Sequence, residues 1–134
     1  MRAQRDMGRI VTQVRIENVN YPEKYIDLSA MVDTGAAYLT LPSAWKERLG
    51  DFPYIEKVEM ATATQEIVEG ELRGPVRIRV EGFRPLYTEA LFVDMEPEER
   101  EYEPLLGYTP LELCGAAVDM LGHGLVPAKY IDLK

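Results

Sequence analysis

One aspartate in this chain stands where a carboxylate can do chemistry. Asp33 ends an apolar run, Ile26 to Val32, and Thr34, Gly35, Ala36 and Ala37 follow before a second apolar segment, Tyr38-Leu39-Thr40-Leu41-Pro42. Taking a carboxylate out of water is costly unless it is hydrogen-bonded or paired. Gly35 allows a tight bend that brings backbone N–H groups toward the carboxylate. Thr34 adds a hydroxyl that can bond backbone in the same turn. Such a turn orients one Asp33 oxygen inward and leaves the other facing a cavity. The plainer alternative is an Asx-type turn that closes a hairpin.

The elements that must position Asp33 are strands. Gly8 to Val19 alternates, with Ile10, Val14 and Ile16 on one face and Gln13, Arg15 and Glu17 on the other, which is the pattern of a half-buried strand. Asn20-Tyr21-Pro22-Glu23 is a turn, and Lys24 to Val32 alternates again, so the two segments form a hairpin that delivers Asp33. Pro42 to Gly50 reads as a short helix opened by Pro and closed by Gly, with Trp45 and Leu49 on its buried side. Tyr54 to Ala61 and Glu66 to Leu72 are strand-like arms around Thr62-Ala63-Thr64-Gln65. Val76 to Val80 and Tyr87 to Val93 are further strands, and Met95 to Glu103 is an acidic loop with the character of solvated surface. After Leu105-Leu106-Gly107, Thr109, Pro110 and Glu112 have the spacing of a capping box on a short helix ending near Gly115. A last hairpin turns through Leu121-Gly122-His123.

Composition bounds what the chain can do. Its 134 residues suffice for one domain with a core, and residues 1 to 7, which lack periodicity, are expected to fray. A net charge of −8 argues against nucleic acid or an anionic membrane as a partner. No apolar run has the length of a membrane span. The basic N-terminus, Met1 to Asp6, has no apolar stretch behind it and is not a signal peptide. Cys114 is a lone cysteine, which suits a reducing compartment, and a cytoplasmic location is the default expectation. His123, the single histidine, lies between glycines and reads as a solvated turn residue.

Asp33-Thr34-Gly35-Ala36, set between two apolar strands, resembles the active-site loop of the retropepsin-like (retroviral-type, clan AA) aspartic peptidases. Leu105-Leu106-Gly107, just before a short helix, is similar to the family's second signature, and the resemblance covers most of residues 8 to 127. It implies an all-β fold, a small closed β-barrel of the acid protease type with one or two short helices, occupying residues 1–134 as a single domain. It also implies an aspartic endopeptidase. In that chemistry two carboxylates share one proton, and a water held between them attacks the peptide carbonyl. No other aspartate here is followed by Thr-Gly or Ser-Gly, so the second carboxylate must be Asp33 of another copy in a homodimer.

The resemblance carries further roles position by position. The Thr34 hydroxyl would bond across to the other protomer's loop, and the Gly35 carbonyl would contact substrate. Ala36 would let the two loops approach, while Leu106 and Gly107 would pack behind them, with Leu105 in the same motif. At Ala37 many viral relatives carry an acidic residue that holds substrate backbone. The hairpin with Thr62, Ala63 and Thr64 at its tip falls where the family has its flap, although family flaps carry Gly near the tip. An ordinary surface hairpin is the alternative there. Ala36, Ala37, Leu39 and Met60 are expected to line a small apolar cleft that favours apolar residues around the cut. The implied partners are a peptide or protein substrate and a second copy, with no metal and no cofactor. Two rival readings remain: a non-catalytic dimeric domain of the same fold that binds peptides or scaffolds, and an unrelated small β-barrel whose Asp turn is structural.

Overall fold

Period-two alternation builds most of the architecture. The computed structural model describes residues 9–61, 65–95 and 103–128. The expected frayed segment 1–7, the hairpin tip Thr62, Ala63 and Thr64, and residues 96–102 of the acidic loop lie outside the described residues. Strands β1 (Val11–Asn18) and β2 (Tyr25–Val32) form the expected antiparallel hairpin, with Val14 opposite Leu28 and Ile16 opposite Ile26. Their even-numbered apolar side chains, Val14, Ile16, Ile26 and Leu28, are buried. Strand β3 (Leu39–Pro42) follows the Asp33 loop and runs into a 3-10 helix, Ser43–Leu49. In that helix Leu49 is fully buried, whereas Trp45 is half-buried against the core with the Arg48 guanidinium over its ring.

Strand β4 (Tyr54–Ala61) pairs antiparallel with the first part of β5 (Ile67–Val80), which gives the expected two-armed hairpin with Ala61 opposite Ile67. The segments 66–72 and 76–80 are one 14-residue strand rather than two. A register shift between Arg73 and Val76 lets the first part pair with β4 and the second with β1. Strand β6 (Leu86–Val93) and the two-residue β7 (Leu105–Leu106) complete a seven-stranded sheet ordered β1-β2-β7-β3-β6-β5-β4. Because β1 also pairs with β5, the sheet curls back on itself around a core that includes Ile16, Leu39, Ile78, Phe92 and Leu106. The fold is mostly β with two short helices, as the strand patterns predict.

Helix α1 (Tyr108–Cys114) starts two residues earlier than expected and without the capping box. Its N-cap is Gly107, with no side-chain cap, because its first amides have backbone partners instead. The N–H of Tyr108 donates to the Ala36 carbonyl at 2.9 Å and that of Thr109 to the Ala37 carbonyl at 3.0 Å. These bonds satisfy donors that a Thr109 and Glu112 side-chain cap would otherwise serve. Gly115 closes the helix in the left-handed conformation. Strands β8 (Ala116–Asp119) and β9 (Gly124–Pro127) then form a separate two-stranded sheet, with His123 exposed in the turn as expected.

Candidate active site

The loop after β2 is held by a third strand. β7 runs parallel to β2, placing Val32 beside Leu106, and antiparallel to β3, placing Leu39 beside the same Leu106. A turn that merely closed a hairpin would leave β2 and β3 paired with each other. Here β7 lies between them, so the loop bridges two strand spacings, about 9–10 Å. The Asp33 N–H donates to the Leu106 carbonyl at 3.0 Å, and the Gly107 N–H donates to the Tyr38 carbonyl at 3.0 Å. Both ends of the loop are therefore tied to the Leu105-Leu106-Gly107 segment. Gly107 is required by close approach: a Cβ there would stand 2.5 Å from the Ala36 carbonyl oxygen and 2.6 Å from that of Tyr38.

Within the loop, Asp33 Oδ1 accepts the Gly35 N–H at 2.9 Å, and the Ala36 N–H donates to the Asp33 carbonyl at 3.0 Å. This is the tight bend that the Asp-Thr-Gly order suggests. Among the described residues Asp33 Oδ2 accepts no hydrogen bond. Asp33 is half-buried rather than buried, and Thr34 and Gly35 are exposed. The carboxylate thus stands at the open end of a half-buried strand, with one oxygen fixed and, among the described residues, one unengaged.

Beside it lies an apolar cleft of about 510 Å³, whose walls come from the loop, from the β4–β5 hairpin and from β6. Gly35, Ala36, Ala37, Met60 and Leu105 line it; of these Ala36, Ala37 and Met60 were expected in such a cleft. Leu39 does not: it is fully buried in the core. Alternation along β3 explains the difference, since Tyr38 and Thr40 face the cleft and the residue between them points the other way. Leu106 and Gly107 lie behind the loop and are buried. Strand residues Val58, Val68, Leu72, Leu91 and Val93 complete the walls. The sequence alone does not single them out, although alternation on β5 marks Val68 and Leu72 as apolar residues of one face. Among the described residues, none lining this cleft carries a charge.

Other candidates for chemistry fall away. Burial pushes the Cys114 thiol up, away from the reactive thiolate. No group of three His, Cys, Asp or Glu residues among those described could hold a metal ion. A smaller, polar depression of about 170 Å³ near Lys46, Lys57 and Glu71 does not include the Asp33 loop. Among the described residues, no helix is long and apolar enough to cross a membrane.

No protein-family model matches the sequence, and no curated protein matches it significantly. Among solved structures the chain is similar to EIAV protease complexed with the inhibitor HBY-793. The identity is 26% and the TM-score 0.59, over 83% of this chain and 92% of the other. A Legionella pneumophila protein of unknown function (DUF785) matches more loosely, at 19% identity and a TM-score of 0.45, over 81% of this chain and 88% of that one. The likeness to EIAV protease, together with the strand-held Asp33 loop, supports a retropepsin-like fold for this chain.

Proposed function

We propose that this chain is one subunit of an aspartic endopeptidase in which two copies each supply Asp33. The observation that carries the proposal is the placement of Asp33: a half-buried carboxylate with one oxygen fixed by Gly35, next to a cleft of about 510 Å³ whose described lining is uncharged. One chain supplies a single Asp-Thr-Gly, so a twofold axis through the loops would complete the pair, each chain being a small closed β-barrel of the acid protease type.

Two carboxylates brought that close cannot both stay ionised, so the pair holds one proton and titrates as a unit. The charged member accepts a proton from a water lying between them, and that water attacks the scissile carbonyl. The neutral member donates a hydrogen bond to the carbonyl oxygen as it gains charge, and the member that took the proton from water passes it to the amine nitrogen as the C–N bond breaks. In this scheme Thr34 joins the two loops, and the Gly35 carbonyl holds substrate backbone. Ala36 leaves room at the axis. Ala37 and Met60 contact substrate side chains.

The test is cleavage of a denatured protein at mildly acidic pH by the wild type and by Asp33→Asn. Cleavage by the wild type with loss in the variant supports the proposal; equal background in both overturns it.

The non-catalytic reading, a dimeric peptide-binding module, is favoured by one observation. Because Asp33 is only half-buried, the chain can keep it at little cost to stability without any catalytic role. Peptide binding that persists unchanged in Asp33→Asn, without cleavage by either form, would select that reading.

A further inference from the structure

The sheet that walls the cleft continues past its uncharged lining. Side chains of a strand share a face at every second position. On β4, Tyr54 and Glu56 therefore continue the row of Val58 and Met60, and on β6 Glu89 continues the row of Leu91 and Val93. Between them, on β5, Gly74 stands opposite Tyr54 and continues the row of Leu72. Gly74 has no side chain, and Glu89 leans into the space this leaves: its Cγ lies 3.0 Å from where a Gly74 Cβ would stand. The Tyr54 hydroxyl donates to Glu56 Oε1. That bond first, then burial, pushes the Tyr54 phenol up, and the charges of Glu56 and Glu89 and the neighbouring Tyr38 add to the effect. Two carboxylates and two phenol rings thus share one end of the cleft, where Tyr38 lines it.

The cations of these strands lie elsewhere. Lys57 and Arg73 alternate to the opposite face, where Lys57 lines the polar depression and Arg73 is 2.7 Å from Glu71. Arg77 and Arg79 come after the register shift in β5, opposite Glu17 and Arg15 of β1. Glu89 is half-buried, and among the described residues it has no hydrogen bond or ion pair. A carboxylate so placed gains from any cation brought beside it, more than a fully solvated one would. The cleft therefore offers apolar walls along most of its length and an uncompensated negative charge at one end.

We infer that this end of the cleft selects a basic side chain of the bound peptide, with Glu89 as the specificity-determining carboxylate and Glu56 as its support. The inference rests on the proposed reading of the cleft as a peptide site. A lysine or arginine brings its charged head to the carboxylates while its apolar stem and its charge lie against the Tyr38 and Tyr54 rings. Tyr54 to Met60 spans about 20 Å along β4, or about six residues of an extended peptide. One short segment can therefore satisfy both ends of the wall, with apolar residues beside Val58 and Met60 and a basic residue toward Tyr54.

The experiment measures peptide binding by fluorescence anisotropy, using the Asp33→Asn protein so that bound peptides stay whole. Fluorescein-labelled peptides of alanine, valine and leucine carry lysine, or uncharged norleucine, at each position in turn. Lysine is expected to raise affinity about tenfold over norleucine at positions toward the peptide ends. Adding Glu89→Gln removes that gain, whereas Glu69→Gln, on the opposite face of β5, keeps it. No gain at any position overturns the inference. So does an equal gain at every position, which is the general pull of a chain of net charge −8, and so does a gain that survives Glu89→Gln or is lost equally in Glu69→Gln. The peptidase reading is judged separately, by cleavage of the same peptides by the chain with Asp33 intact. Cleavage without a lysine preference refutes the charge selection and leaves the enzyme; a Glu89-dependent preference without cleavage does the reverse.

Discussion

The backbone N–H of Tyr108, the first residue of α1, donates to the carbonyl of Ala36 in the loop that carries Asp33, at 2.9 Å. Residues far apart in sequence are thereby fixed to one another at the point where the candidate chemistry sits. The start of α1 serves the loop's carbonyls, and the loop serves the helix's unpaired amides. This mutual capping makes the position of Asp33 a property of the fold rather than of a free turn.

Gly107→Ala tests that dependence. The added Cβ would meet the backbone carbonyls of Ala36 and Tyr38 and the Ala37 carbonyl carbon, all within 2.7 Å, and backbone cannot swing aside as a side chain can. A loss of about 2–4 kcal/mol is expected, read as a lower denaturant midpoint, together with loss of any Asp33-dependent cleavage.

Asn18 is fully buried, a polar residue among apolar neighbours. Its Nδ2 donates to the carbonyls of Leu49 at 2.7 Å and Asp51 at 2.8 Å, and its Oδ1 accepts the N–H of Asn20 at 2.9 Å. It therefore ties the β1–β2 turn to the end of the 3-10 helix. Asn18→Ala leaves these groups without partners and is expected to destabilise by about 2–3 kcal/mol in chemical denaturation.

Much of this was legible from sequence because it rests on local rules. Alternation gave β1, β2 and the second part of β5, and Asp-Thr-Gly gave the bend at Asp33. The partners were not legible. Nothing local says that Leu105 and Leu106 slide between β2 and β3, nor that the helix amides would find carbonyls of the loop and leave Thr109 without a capping task. Leu39 was misplaced for a related reason: choosing which residues of a short strand face the cleft requires the register, and β7 sets it. Asn18 escaped notice because its Nδ2 donates to residues more than thirty positions away.

Glu71 supplies a pH test of stability. The Arg73 guanidinium at 2.7 Å, aided by Lys46 at 3.5 Å, holds the Glu71 carboxyl below its ordinary range. A group whose value is lowered by folding contributes stability above its unfolded value and loses that contribution as pH falls through the folded one. Glu71→Gln is therefore expected to cost about 1 kcal/mol at neutral pH, with the difference from wild type closing as the pH drops below about 4. Urea unfolding of both proteins across that interval checks it; a difference that does not change with pH would contradict it.

Met60→Lys tests the cleft. Met60 is half-buried on β4 and lines a wall without charges, so a lysine there leaves the fold standing and places an ammonium where apolar substrate side chains would lie. The expected result is an unchanged melting temperature and a rise in KM of about tenfold or more for apolar peptides, measured by steady-state peptide cleavage.

The central claim is that one active site needs Asp33 from two chains, and subunit mixing tests it most directly. Wild type and Asp33→Asn are combined at constant total concentration, allowed to exchange, and assayed for cleavage. If each site needs both carboxylates, an equal mixture retains about one quarter of the wild-type rate, because only wild-type pairs act. Retention of about one half, a straight line through all mixing ratios, would mean that each chain acts alone and would contradict the account.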